Sequence, residues 1–267
     1  MSARGVTRYA SVLWTSARQQ WVYRAEMAAR AIQMILFMFV FMALWSTAFG
    51  ISGRAELQGY TLAQMVWYLA MTETITLSSS RIFTEISETV KAGDVAYALA
   101  RPLSYPFFQV ANSLGNSVPR FWLNLLTAAA VVGLGTRQMA GSWPGLAAFL
   151  VTAALALLLD AFIAVIIGLL AFWLEEVTPV FWIYQKLLFT VGGLFLPLEM
   201  FPQWLERAVR WLPFQFIAYV PARAFVAFES EFVLQALSGQ VVYVGLLAAL
   251  MVLLWRRAQR RLVVHGG

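Results

Sequence analysis

A chain of 267 residues that is 61% hydrophobic and only 12% charged cannot clothe a water-soluble surface, where about a quarter of residues carry charge. Its apolar residues gather into blocks, 31–50, 144–174 and 240–255, with almost nothing ionisable in them; blocks near the ~20 residues of a spanning helix exclude a soluble core and a barrel of short alternating strands. The net charge of +6 stands mostly beside those blocks, where arginines set topology and do not read as a nucleic-acid surface, and the lack of cysteine removes disulfide frameworks and thiolate metal sites.

Residues 1–30 read as a cytoplasmic or interfacial amphipathic segment. Val6, Tyr9, Leu13, Ala17 and Trp21 recur at helical spacing, with Arg4, Arg8, Ser11, Thr15 and Arg18 opposite. That pattern suits a helix in the headgroup layer, or a plain basic tail. The first apolar block follows without a small-residue cleavage site and reads as a retained span. Residues 31–267 then read as a six-span all-α membrane domain.

Span one is expected over Ala31–Gly50, followed by a polar turn, and span two over Tyr60–Ser80 with Glu73 inside it. Residues 81–105 form a polar connection of one or two surface helices, broken near Gly93 and stopped before Pro102. Span three starts near Tyr105 or after Pro119 and ends near Leu134; Asn112, Asn116, Arg120 and Asn124 make its first part polar, and Pro119 is expected to kink it. Span four, Gly145–Trp173, carries Asp160 near its middle, and span five runs over Pro179–Leu196 with Lys186. In residues 197–239, Phe201, Trp204, Leu205, Ala208 and Leu212 mark an apolar stripe, while Pro221 and Arg223 argue against a regular full span. Span six, Val241–Trp255, ends in Arg256, Arg257, Arg260 and Arg261. Most basic residues fall on one side if both termini are cytoplasmic and the number of spans is even.

No phosphate-binding loop, dinucleotide fingerprint or HExxH occurs, so no catalytic, cofactor-binding or metal residues are assigned. The single histidine, His265, reads as a tail residue, and Ser78–Ser80 as a polar helix end. Glu73 and Asp160 carry two readings: interhelical pairing, or a proton or substrate path as in an ion-coupled secondary transporter. Phe37, Phe41, Trp45, Trp67, Phe162, Phe189 and Phe195 are either walls of a route or ordinary lipid and packing contacts.

Three stretches, RYASVLWTSARQQWVYRAEM, EISETVKAGDVAYALARPLSYP and GGLFLPLEMFPQWLERAVRWLPFQFIAYVPARAF, resemble in order and spacing the membrane permease of a type-two ATP-binding-cassette exporter, in the short bacterial branch without a fused ATPase. The resemblance implies a half-transporter in the bacterial inner membrane that pairs with a second permease, the same or a homologous chain, and recruits a cytoplasmic ATPase dimer holding the ATP and Mg. It implies an N-terminal connecting helix and a coupling helix carrying Glu85, Ile86, Glu88, Val90, Lys91, Gly93 and Asp94. It further implies that Arg101–Ser104 return the chain to the membrane. Outer re-entrant helices would be shaped by Pro197, Phe201, Pro202, Trp204, Pro213 and Pro221.

Overall fold

A computed structural model describes residues 3–95 and 103–265, with side chains over 7–95 and 103–261. The connecting stretch 96–102, including Leu99, Arg101 and Pro102 of the expected return to the membrane, lies outside the described residues. In chain order the helices are α1 (Ala3–Gln20), α2 (Arg24–Ser52), α3 (Leu62–Thr76), α4 (Ile82–Lys91), α5 (Tyr105–Thr136), α6 (Trp143–Leu169), α7 (Thr178–Val191), α8 (Gln203–Val209), α9 (Tyr219–Val226) and α10 (Ser230–His265). A two-stranded antiparallel hairpin, β1 (Glu56–Leu57) with β2 (Tyr60–Thr61), sits between α2 and α3.

Among the described residues, four helices are long and apolar enough to cross a membrane: α2, α5, α6 with its 3-10 extension to Phe172, and α10. The chain is a multi-span helical membrane protein. The second and fifth expected spans differ in form. α3 has 15 residues and α7 has 14, about 22 Å of helix each against a hydrocarbon layer of about 30 Å. Thr61 and Gln64 set the start of α3 by a reciprocal capping box, while α7 gives way after Val191 to an irregular stretch through Pro197. The third expected span resolves to its earlier start: α5 is continuous from Tyr105, with Pro106 in its first turn and Pro119 inside. Pro119 removes one N–H from the helical ladder.

Two clusters of buried side chains define the packing. The larger joins Met34, Met38, Tyr68, Leu69, Phe149 and Tyr219, knitting α2, α3, α6 and α9. The smaller joins Ile82, Ile86, Tyr105, Val165, Leu169, Met251 and Trp255, so one face of α4 is part of the core formed by the ends of α6 and α10 and the start of α5. This is the α4 end of the bundle. At the opposite, hairpin end, α9 packs on α3 and α6, with Gln64 Nε2 donating to the Val226 carbonyl at 3.2 Å, and Trp67 Nε1 ties α3 to the turn after α5 by donating to the Gln138 carbonyl at 2.8 Å.

α1 follows the expected amphipathic pattern only in part. Tyr9, Leu13 and Ala17 are at least half-buried, but they are covered by the first half of α5. A Cβ at Gly115 would come within 2.5 Å of the Leu13 carbonyl oxygen. Ser16 donates to Asn112 at 2.7 Å and Gln20 to Asn116 at 3.0 Å. Trp21 lies beyond the helix end and is exposed. The α8 stripe also shifts: Val209 is the buried residue, whereas Trp204 is exposed.

Candidate functional site

α4 carries most of the polar residues expected to meet a partner. Its apolar positions, Ile82, Phe83 and Ile86, are buried, Val90 is half-buried, and Glu85, Glu88, Lys91, Gly93 and Asp94 are exposed. The helix stops because Gly93 adopts φ +76°, a left-handed conformation that costs a residue with a Cβ about 1–2 kcal/mol. Three contacts fix α4 to the bundle. Ile86 fills the space beside Gly168 of α6, and the Lys91 ammonium pairs with Glu176 in the turn before α7. Phe83 stacks on Phe181 of α7 with ring centroids 4.1 Å apart. Lys91 holds the Glu176 carboxyl below its ordinary range, chiefly by hydrogen bonding and by charge.

Beside α4 lies a polar cavity of about 990 Å³ between α1, α2, α4 and α5, here called the vestibule. Arg30 donates to Glu26 at 2.7 Å and to the Leu77 carbonyl at 3.2 Å. Arg120 reaches Gln20 at 3.1 Å and Glu26 at 3.5 Å. Glu85 accepts from Asn112 at 3.2 Å. Desolvation in the vestibule pushes the Glu85 carboxyl up, opposed by the Asn112 hydrogen bond and reinforced by Glu88. Arg81 is exposed at the cavity edge and its guanidinium forms no ion pair or hydrogen bond among the described residues.

A second cavity, about 190 Å³, continues from the vestibule and shares Thr76, Ser79, Phe181 and Gln185 with it. Asp160 faces this smaller space and accepts a hydrogen bond from Tyr184 at 2.6 Å, while Leu188, Phe189 and Leu194 form its apolar wall. Glu73, 5% exposed, and Asp160, 3% exposed, are both inside the bundle. They are not brought together. Glu73 has no side-chain hydrogen bond or ion pair among the described residues, and it lines neither cavity.

At the hairpin end, Glu199 gathers the irregular segment. It pairs with Arg223 at 3.0 Å and accepts from Tyr219 at 2.5 Å and from Tyr60 at 3.3 Å. Arg223 also stacks over Phe232, 3.9 Å from its centroid. Pro197 and Pro213 open short 3-10 turns, Pro202 precedes α8, and Pro221 stands in the first turn of α9, positions where a missing N–H costs little. Phe201 is half-buried. Rings from α2 and α7 are linked through Phe195 in the stretch after α7, Phe37 with Phe41 at 6.0 Å, Phe41 with Phe195 at 5.8 Å and Phe195 with Phe189 at 5.8 Å.

The vestibule escaped the sequence reading as a site, although its signal was present. Asn112, Asn116, Arg120 and Asn124 fall four apart on one face of a helix, as do Ser16 and Gln20 on another. Tyr184 and Glu199 had no local signal of this kind. Among the described residues no group of three or more His, Cys, Asp or Glu side chains could hold a metal.

Compared with known protein families, residues 28–266 match the family described as ABC-2 family transporter protein. α1 lies N-terminal to that match. A search of curated proteins gave no match.

Proposed function

Since the chain belongs to the ABC-2 family of transporter proteins, we propose that it is the permease subunit of an ATP-driven exporter. Hydrolysis takes place on a separate cytoplasmic ATPase dimer that holds ATP and Mg. The observation that carries this reading is α4, a ten-residue helix with a buried apolar face and an exposed face of Glu85, Glu88, Lys91 and Asp94. A helix locked to α6 and to the α7 turn can pass a displacement into spanning helices, which a loose loop cannot. In this reading the α4 end is cytoplasmic, with both termini on that side and the membrane the bacterial inner one. α3 and α7 complete six crossings as short helices, and of the expected outer re-entrant segment 197–239 the part before α10, residues 197–229, forms the re-entrant layer, 230–239 belonging to α10.

A second permease, the same or a homologous chain, completes the route. The motivation is Lys186, exposed on α7 in the same helix as the exposed Trp182, Ile183 and Phe189. Facing lipid, a lysine in a span costs about 2.5–3.5 kcal/mol; facing a partner or an aqueous route, it does not. The aromatic row from Phe37 to Phe189 lies between α2 and α7 on this side.

Affinity purification in nanodiscs from the native cell, with mass identification of retained chains, tests the reading. Recovery of a cytoplasmic ATPase with one or two permease types supports it. Transport-competent protein recovered without any ATPase sinks it and favours ion-coupled secondary transport.

A further inference from the structure

Among the described residues six buried side-chain polar atoms close no hydrogen bond, and four of them stand on α5: Tyr105 Oη, Gln109 Oε1, Ser113 Oγ and Asn124 Oδ1. The first three follow one another at intervals of four residues, and at 3.6 residues per turn all four fall within about a third of the helix circumference. Tyr105 Oη has Gln109 and Thr89 as polar neighbours and bonds directly to neither.

α4 runs antiparallel along this stripe. Thr89 is beside Tyr105, Glu85 accepts from Asn112 at 3.2 Å, and Ser78, in the turn before α4, accepts from Asn124 at 3.0 Å. The bare atoms therefore lie in the seam between α5 and α4, next to the α5 positions Asn112, Asn116 and Arg120 that line the vestibule. Buried polar atoms are rarely left bare, because each has lost its hydration without a replacement. Residues four apart in a helix are about 6 Å apart along its axis, and two O–H···O hydrogen bonds in series span about 5.5 Å. One water fits each interval, and the polar vestibule beside the seam supplies it.

We infer that the α4–α5 seam binds a file of ordered waters, bridging Tyr105, Gln109 and Ser113 and continuing toward Asn124. On its other side α4 is dry: Ile86 meets Gly168 of α6, and Phe83 stacks on Phe181. A water-bridged contact re-forms after a small displacement with the same polar groups, whereas interlocked apolar side chains do not. α4 is thus seated on α6 and free to shift along α5. The use of that freedom to pass on a partner's motion rests on the permease reading; the water site rests on geometry alone and is measurable without an ATPase.

Hydroxyl-radical footprinting by X-ray radiolysis, applied to the full-length protein in detergent micelles and read by mass spectrometry, tests the site, because radicals formed from a bound water oxidise the side chain beside it. Tyr105 is the reporter. Tyr68, whose hydroxyl is bonded to the Gly193 carbonyl inside the bundle, is the dry reference. Tyr105 should oxidise several-fold faster than Tyr68. Gln109→Met combined with Ser113→Ala removes two anchors of the file and should lower Tyr105 oxidation several-fold, with the thermal midpoint unchanged or higher, since bare polar atoms are being replaced by apolar ones. Tyr105 as protected as Tyr68, or oxidation unchanged in the double variant, overturns the water file. The comparison of the two tyrosines needs no variant and decides alone if the double variant fails to fold. Amide hydrogen exchange over residues 82–91 should slow in the double variant; unchanged exchange would keep the waters and overturn the freedom they give α4.

Discussion

A Cβ atom added at Gly168 would stand 2.8 Å from the Cβ of Ile86, so the backbone of α6 is the floor on which α4 rests. Neither residue has room to change. Gly168→Val forces α4 away from α6, and Ile86→Ala leaves a hole costing about 2–5 kcal/mol. Both variants should lower the thermal midpoint in detergent and reduce substrate-stimulated ATPase activity in the reconstituted complex. Ile86→Val, which keeps most of the contact, should retain both. Equal loss in the valine variant would mean that α4 docking does not carry the effect.

The exposed face of α4 predicts the opposite separation. Glu88→Lys combined with Asp94→Lys leaves the buried contacts untouched, so the melting curve of the isolated permease should stay where it is. Co-purification of the ATPase should fall. Full retention of the ATPase by this double variant would remove α4 from the interface.

Two buried carboxylates at similar depth should respond differently to substitution. Asp160→Asn keeps an oxygen for the Tyr184 hydroxyl and should preserve folding, whereas Asp160→Leu strands that hydroxyl and costs about 1–3 kcal/mol. Glu73→Gln breaks no side-chain bond among the described residues and should be tolerated or mildly stabilising. Chemical denaturation of the three variants distinguishes them, and a large loss in Glu73→Gln would reveal a partner for it.

Glu199 is the knot of the hairpin end. Glu199→Gln removes the charge facing Arg223 and weakens acceptance from Tyr219 and Tyr60, and a loss of about 1–3 kcal/mol is expected. Limited proteolysis should then cut within 197–230 before any site at the α4 end. Unchanged proteolysis would show that burial of α9 alone holds this segment.

The pH response of Glu85 has a definite sign. Its folded-state value is raised above 4.5, with desolvation the largest cause, so the folded chain binds the proton more tightly than the unfolded chain. Stability from this group falls as pH rises from the unfolded value through the raised one. Glu85→Gln removes that slope. The melting temperature of the variant relative to the unaltered protein should climb as pH rises from 4.5 through the raised value; a difference that shrinks as pH rises would contradict the assignment.

Much of this architecture was readable in the amino-acid order because hydropathy blocks and helical spacing are local properties. The cores of spans one, four and six, the break at Gly93, and the bundle-facing placement of Asp160 follow from such signals. The shortness of α7 has a local signal that the span reading passes over, the Gly192–Gly193 pair, with Gly193 at φ +75° and its carbonyl held by Tyr68. The shortness of α3 has none, since Leu77 to Ser80 are apolar or small enough to continue a helix. Likewise the spacing of Tyr9, Leu13 and Ala17 shows an apolar face but cannot say whether lipid or α5 covers it. Pairings such as Ser16 with Asn112, far apart in the chain, exist only after the intervening helices are placed.

The joining of α1 to α5 also has a consequence in time. Ser16 and Asn112 are 96 positions apart, so at about 5–20 residues per second a ribosome needs roughly 5–20 s to deliver the partner after α1 has emerged. During that interval the face bearing Tyr9, Leu13 and Ala17 has no protein to cover it, and the headgroup layer is the shelter its amphipathic pattern suits. A nascent α1 is therefore expected to shelter at the membrane surface until α5 arrives to cover the same face.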